Sequence, residues 1–300
     1  MWKVKSLIFF LIILLEACSS TSSTDSGSSS GGASSDDELT LSSCDTSVDE
    51  NAPAFFRTYF KCVTITMEGE NVVIATADLP PHRSYYYGED SPNFTDFDTS
   101  RGSDYSPNPN TIAEQDIHVQ IPLNPVAKDL TITEDLVDGV VGTSDEEYDL
   151  GTVGVALDSV ALFNPLAAPG DDIADERFTF DDYNAHPTGD GTYHYHTNTA
   201  GPLEVLESLG LITSTELGEA EIEVFGIMCD GTVVLGCTEL NGDVPDDSDF
   251  DAQNGHVHDL VDGDGTTLFA VRYHTHICPD LFPNHLYTPE IQFYESCNVQ

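Results

Sequence analysis

The strongest constraint on this chain is a pair of similar segments about 70 residues apart. GVALDSVALF at 154–163 resembles FGIMCDGTVVLG at 225–236, and each reads as two apolar strands broken at an aspartate. An isolated histidine and then a paired histidine follow each segment. The anchors recur at offsets of 72, 70 and 80 residues: Asp158 and Asp230, His186 and His256, His194 and His274. Such regular offsets predict a weak internal duplication of one strand–loop–histidine unit.

Strand signals dominate the rest of the sequence. Short segments rich in Val, Ile, Thr and Phe are bounded by Gly, Pro, Asn or Asp, as strands usually are. These segments lie at 60–67, 71–79, 118–123, 151–163, 220–229, 231–237 and 267–277. One helix is predicted at 202–212, and a shorter one near Asp171. We therefore expect a mainly β protein: a single β-rich domain at 41–300, with long acidic loops and one or two short helices.

The N-terminus has the features of an export signal. Two lysines precede the apolar run at 7–15, which is too short to span a membrane. The segment LEAC, ending at Cys18, resembles a bacterial lipobox, although Glu16 departs from that pattern. Residues 1–18 are therefore predicted to be a lipoprotein signal peptide with Cys18 as the lipidated residue. Ser19 resembles an outer-membrane address, and an ordinary secretory signal is the alternative.

Residues 19–40 are rich in Ser, Gly and Asp, and they are predicted to form a disordered linker. The whole chain has 53 acidic and nine basic residues, for a formal net charge of −44. This charge excludes nucleic acid as a natural partner, because phosphate binding requires the opposite sign. Adaptation to salt, a cation-attracting field and calcium coordination by acidic loops all remain open. The acidic stretch at 243–251 is the candidate for calcium.

Cysteine content also favours export. Six cysteines remain besides Cys18, and an even number in an exported chain favours disulfides. Sequence leaves all 15 pairings open. We expect local pairing: Cys44 with Cys62, Cys229 with Cys237, and Cys278 with Cys297.

The histidines are concentrated in two stretches, HPTGDGTYHYH at 186–196 and HVHDLVDGDGTTLFAVRYHTH at 256–276. Side chains alternate along a strand, so each His-x-His pair projects both imidazoles to one face. If a pseudo-twofold axis brought the two strands together, four imidazoles would converge. The predicted metal ligands are His186, His194, His196, His256, His274 and His276.

Imidazole clusters suit copper, zinc, nickel or ferrous iron, and copper or zinc is the expected ion here. A single His-x-His is more often a packing feature than a metal site, but two copies with a further histidine each favour a site. His258 is either a further ligand or a solvated loop residue. Asp181, Asp182, Asp259 or a tyrosine oxygen is expected to orient the imidazoles.

The ordered series GVALDSVALFNP, FTFDDYNAHPTGDGTYHYH, FGIMCDG, NGH and RYHTH resembles the bacterial YHYH-domain proteins. The resemblance covers roughly 151–276, and a YHYH domain is predicted at about 118–285. It extends more loosely to ADLPPHRSYYYG at 77–88, which implies that His82 approaches the same metal site. Ala185 and Asp158-Ser159 depart from the family's usual glycine and Asn-Gly. The resemblance implies no settled reaction.

Two functions are consistent with these features. The first is a lipid-anchored protein of the bacterial cell envelope that binds a transition metal, with the membrane contacted only through the lipid. The second is a metal-dependent extracellular enzyme, a hydrolase or a copper oxidase, at the same histidines. No nucleophile-elbow, P-loop, HExxH or dinucleotide motif occurs in the chain, so the catalytic residues and any protein partners stay unassigned.

Overall fold

The structure is a computed structural model that describes residues 37–168, 172–278 and 287–300. Its strands form two sheets. The five-stranded sheet has the order β1-β2-β3-β4-β13. Its strands are β1 (Ser47–Val48), β2 (Thr64–Glu68), β3 (Asn71–Thr76), β4 (Ile117–Pro122) and β13 (Asn298–Val299).

The second sheet has eight strands in the order β11-β12-β10-β9-β5-β6-β8-β7. They are β5 (Thr152–Ala156), β6 (Ala161–Phe163), β7 (Ala185–Pro187), β8 (Tyr193–Tyr195), β9 (Val224–Met228), β10 (Val233–Leu235), β11 (Gly255–Val261) and β12 (Thr267–His276). The mainly β prediction is confirmed, and every predicted strand segment overlaps an observed strand.

Three short α-helices lie in the described part of the chain: α1 (Ala54–Tyr59), α2 (Ile173–Glu176) and α3 (Ala200–Ser208). The helix predicted at 202–212 is α3, which begins and ends earlier than expected. The helix predicted near Asp171 is α2, whose first turn is capped by the Asp172 side chain. Helix α1 was not predicted, because its sequence AFFRTY is too short to show a helical period. Single 3₁₀ turns occur at Thr99–Arg101, Arg177–Thr179 and Asp247–Asp249.

The eight-stranded sheet consists of two similar halves that meet at β5 and β9. From this junction outward, one half runs β5-β6-β8-β7 and the other runs β9-β10-β12-β11. In both halves the first two strands are antiparallel, the next pair is parallel and the outer pair is antiparallel. The predicted duplication is therefore visible in the strand order.

The register places a pseudo-twofold axis at one residue pair. Val155 lies opposite Ile227, and these two positions are equivalent by the offset of 72. Gly154 and Gly226, which are also equivalent, lie on either side of this pair. A Cβ atom on Gly226 would lie 2.3 Å from the Val155 carbonyl oxygen, so the strands approach too closely for any side chain there.

Three disulfides tie the described residues together. The predicted Cys44–Cys62 bond is confirmed. The other two predicted pairings are wrong, because the bonds are Cys229–Cys297 and Cys237–Cys278. The reason is strand register: β10 is parallel to β12 with Leu235 opposite His276, so the cysteines two residues further along each strand are neighbours. Such disulfides indicate an exported protein.

The predicted signal peptide, Cys18 and residues 19–36 of the predicted linker lie outside the described residues. Within the described ranges, no helix has the length and apolar character needed to cross a membrane.

Candidate metal centres

The alternation expected for β8 is confirmed, and it separates imidazoles from phenols. The Tyr193 hydroxyl donates to Asp181 Oδ2 at 2.6 Å, and the Tyr195 hydroxyl donates to Asp158 Oδ2 at 2.8 Å. On the other face, His194 Nε2 lies 3.1 Å from His196 Nε2. All of these side chains are buried. The strand therefore presents two imidazoles together in the protein interior.

His186 from β7 completes a group that we name cluster 1, consisting of His186, His194 and His196. Each residue offers one ligand atom, and these atoms lie within 4.8 Å of one another. An ion bound at about 2.0–2.1 Å in tetrahedral geometry places its ligand nitrogens about 3.3 Å apart. The 3.1 Å between the Nε2 atoms of His194 and His196 is close to that separation.

Backbone contacts orient the imidazoles of cluster 1. His194 Nδ1 donates to the Thr192 carbonyl at 3.1 Å, and His196 Nδ1 donates to the Asn164 carbonyl at 2.6 Å. His186 Nδ1 donates to the Thr179 hydroxyl at 2.6 Å, because that hydroxyl's own hydrogen goes to the Glu176 carbonyl. A carbonyl can only accept, so His194 and His196 each carry a proton on Nδ1. Such outer contacts are typical of metal-binding histidines.

In cluster 1, the Nε2 atoms of His194 and His196 face each other, and each carries a lone pair. Burial lowers the pKa of His186 to about 3 and that of His196 to about 4, and it lowers the pKa of His194 well below the usual range. The imidazoles are therefore neutral at pH 7. Two Nε2 lone pairs at 3.1 Å repel each other unless a cation lies between them.

The second half of the sheet carries an equivalent group with added ligands. We name it cluster 2: Glu239, His256, His258 and His274, whose ligand atoms lie within 4.8 Å of one another, together with His276, which contacts Glu239 and His256. The Nε2 atoms of all four histidines lie 3.0–3.4 Å from the Glu239 carboxylate oxygens. His276 Nε2 is also 3.3 Å from His256 Nε2. His258, whose side chain is 42% exposed, is therefore part of the cluster and not only a loop residue.

Cluster 2 repeats the outer contacts of cluster 1. His274 Nδ1 donates to the Arg272 carbonyl at 3.0 Å, and His276 Nδ1 donates to the Gly236 carbonyl at 2.8 Å. Burial alone would raise the pKa of Glu239, but its hydrogen bonds with the histidines hold that pKa well below the usual range. Burial also lowers the pKa of His274 to about 4. An ionised carboxylate thus lies among imidazole nitrogens.

The structure reveals a repeated element that the sequence analysis missed. Residues 180–186 read FDDYNAH and residues 250–256 read FDAQNGH, with Phe, Asp, Asn and His at the same offset of 70. In each copy the aspartate accepts from the tyrosine of the neighbouring strand, and the asparagine has a positive φ. These residues are Asp181, Tyr193 and Asn184 in one copy and Asp251, Tyr273 and Asn254 in the other. In each copy the phenylalanine packs against two of the clustered histidines.

The expected convergence of four imidazoles on one site is wrong. Strands β8 and β12 are five strand spacings apart in the sheet, which corresponds to about 24 Å. A twofold axis between antiparallel neighbours is perpendicular to the sheet, so both clusters lie on the same face. The duplication therefore creates two separate sites.

Two further predictions about the surroundings need correction. His82 is not a member of either cluster: its ring stacks on Tyr183 at 3.5 Å, and its Nε2 lies 3.2 Å from the Tyr195 hydroxyl, behind β8. The orienting acceptors for His194, His196, His274 and His276 are backbone carbonyls, and Asp181 instead accepts from Ser84 and Tyr193. Two of these carbonyls, those of Thr192 and Arg272, lie two residues before the histidine that they orient, and the other two, those of Asn164 and Gly236, directly follow the neighbouring strands β6 and β10.

The two clusters open onto cavities of different character. The cavity beside cluster 1 is about 210 Å³, and its lining includes Phe163, Leu150, Leu166 and Ala168 as well as Glu176. The cavity beside cluster 2 is about 340 Å³, and its lining is acidic: Asp243, Asp246, Asp249 and Asp259. In the described ranges, three or more His, Cys, Asp or Glu side chains converge only at the two clusters. Calcium at 243–251 stays a prediction.

Part of the chain matches a known protein family. Residues 118–249 match the family described as YHYH protein, which confirms the resemblance drawn from the motifs. The chain therefore contains a YHYH domain. The matched region includes all of cluster 1 and Glu239, and it ends before His256. No curated protein and no solved structure matches the chain significantly.

Proposed function

We propose that this protein is a lipid-anchored protein of the bacterial cell envelope that binds transition-metal ions, copper or zinc, at cluster 1 and cluster 2. The observation that carries the proposal is the protonation pattern of His194 and His196. Both donate Nδ1–H to carbonyls, so both Nε2 lone pairs point at a shared space 3.1 Å wide. A cation in that space converts a repulsion into two coordinate bonds.

Cluster 2 supports the same proposal with a different donor set. Four imidazoles and one carboxylate form a mixed nitrogen and oxygen site of the kind that accepts zinc or copper. A proton shared between Glu239 and a histidine is the competing explanation for the short contacts. Metal analysis separates these two explanations, because a shared proton predicts no bound ion at cluster 2.

The decisive experiment is metal content by mass spectrometry of protein from residue 37 onward, exported to the periplasm so that its disulfides form. We expect about two ions per chain. The variant His194→Ala/His196→Ala should lose one ion and keep the other, and His274→Ala/His276→Ala should do the same from the second half. Circular dichroism provides the check that each variant is folded. Wild-type protein with no ion after incubation with copper and with zinc would refute metal binding.

Membrane attachment is a separate part of the proposal, supported by the LEAC segment ending at Cys18 and the Ser/Gly-rich residues after it. Labelling of expressing bacteria with a radioactive fatty acid should mark the wild type and leave Cys18→Ser unmarked. Equal labelling of both proteins, or of neither, would contradict the lipid anchor without affecting metal binding.

Enzymatic activity is the second candidate, and cluster 1 is the observation that favours it. Three histidines on one side and a cavity on the other match the general form of catalytic zinc sites, in which a water or substrate takes the fourth position. Glu176 Oε1, 3.6 Å from His186 Nε2 and on the cavity wall, is placed to exchange a proton with a bound water. Glu176→Gln should then abolish hydrolysis of an activated ester by the zinc-loaded protein while leaving zinc content unchanged.

A further inference from the structure

The two clusters are equivalent in position, yet their donor sets have diverged. The offset of 70 that relates His186 to His256 places Thr188 where the second half has His258. The offset of 72 along the inner strands places Ala167 where the second half has Glu239. Cluster 1 thus lacks the equivalents of two of the five donors of cluster 2.

The two clusters also differ in the negative charge that would surround a bound ion. A divalent ion held by the neutral imidazoles of cluster 1 would have no carboxylate among its ligands, since Glu176 lies 3.6 Å from His186 Nε2 and outside the group of converging ligand atoms. The same ion in cluster 2 loses one charge to Glu239 and lies beside four aspartates. An incoming anion therefore meets one carboxylate, that of Glu176, beside the first ion and five carboxylates around the second.

The two cavities also differ in how apolar their lining residues are. The Phe163 ring stacks on His194 at 3.7 Å and continues into the apolar lining of Leu150, Leu166 and Ala168. A molecule that reached the ion of cluster 1 through this cavity would keep a hydrocarbon body in contact with apolar side chains. The cavity of cluster 2 offers no comparable apolar wall among its lining residues.

We propose that the ion of cluster 1 keeps an exchangeable coordination position for a small anionic ligand with an apolar body, such as a short-chain carboxylate, whereas the ion of cluster 2 is saturated by protein ligands. This inference rests on the proposed metal binding and names the ligand class of one of its two sites. It also divides the sites by role: cluster 2 retains an ion, and cluster 1 presents an ion to a ligand.

The test uses cobalt, whose visible absorption reports changes in coordination. Protein from residue 37 onward is loaded with two equivalents of Co²⁺ and titrated with sodium azide. We expect a saturable spectral change in about half of the cobalt signal. The variant His274→Ala/His276→Ala should keep the azide response, and His194→Ala/His196→Ala should keep cobalt without it. The wild-type titration needs no variant, so the test survives if a variant fails to fold.

Ligand class is tested by competition of acetate and hexanoate with azide. Each buried methylene strengthens binding, so hexanoate should bind cluster 1 at least about tenfold more tightly than acetate. Leu150→Asp tests the apolar wall, because Leu150 is 46% exposed and lines the cavity but is not one of the clustered ligands. It should reduce the preference for hexanoate at least about threefold and leave cobalt content unchanged.

The possible failures are distinguishable. Absence of bound cobalt refutes the proposed metal binding itself. Bound cobalt with no azide response, or with an equal response from both clusters, overturns only the division between an exchangeable and a saturated site. Equal affinity for acetate and hexanoate overturns the apolar part of the ligand class.

Discussion

Replacing Asp158 with asparagine should change how the stability of the protein depends on pH. Asp158 is buried at the turn that breaks the first strand pair, and one of its oxygens accepts from Tyr195. Burial raises the pKa of this carboxyl to about 7 from an ordinary 3.8. The folded chain therefore holds a proton that the unfolded chain has released between pH 3.8 and about 7.

The sign follows from proton linkage. Where the folded state binds more protons, the free energy of unfolding falls as pH rises. The contribution of Asp158 is fully present below pH 3.8 and is lost as pH rises to about 7. At about 1.36 kcal/mol per pKa unit, the whole loss is about 4 kcal/mol, of which about 3 kcal/mol falls between pH 5 and pH 8. The asparagine side chain carries no charge at any pH, so the Asp158→Asn variant should not show this part of the loss.

Urea unfolding of both proteins at pH 5 and pH 8, with EDTA present, measures the effect. The wild type should lose about 3 kcal/mol more than Asp158→Asn between the two pH values. The buried carboxyls of Asp181 and Glu290, whose pKa values burial raises to about 6 and about 7, contribute equally to both proteins and cancel. Equal losses in the two proteins would refute the assignment of a buried, protonated carboxyl to Asp158.

Three further predictions concern the scaffold of the sites. Cys237→Ala/Cys278→Ala opens a loop of 41 residues and should lower the free energy of unfolding by about 4 kcal/mol; a loss below about 1 kcal/mol in urea unfolding would contradict this. Asn254→Ala should cost about 1 kcal/mol more than Asn254→Gly in the same assay, because φ at this position is 56°, and equal costs would refute the argument. Gly226→Ala should lower the melting temperature sharply, since its Cβ would meet the Val155 carbonyl, and an unchanged melting temperature would contradict the close approach.

Sequence predicted the local features of the fold well because each depends on neighbouring residues. The strand segments and the alternation of His194 and Tyr195 follow from composition and the two-residue period of a strand. The duplication was detected through its aspartates and histidines. Phe180 and Asn184 are a further sequence signal of the duplication, since Phe250 and Asn254 stand at the same offset of 70.

Other features depend on which strands become neighbours, and local sequence does not determine that. The disulfides of Cys229 and Cys237 join strands distant in sequence, so the expectation of local pairing failed. The two histidine pairs were expected to meet, but each remains at its own end of the sheet. Glu239 had no distinguishing signal among 53 acidic residues, because its role comes from where the chain leaves β10.

The antiparallel contact at Val155 and Ile227 joins two similar halves of one polypeptide, and this affects which substitutions each half can accept. Two separate copies of a single half, joined through their β5 edges, would make the same antiparallel contact, but every substitution would then appear at both histidine clusters. Joining the halves in one polypeptide removes that restriction. Glu239 and His258 can then occupy one half while Ala167 and Thr188 occupy the equivalent positions of the other, so that one symmetric framework carries two histidine clusters in unlike surroundings.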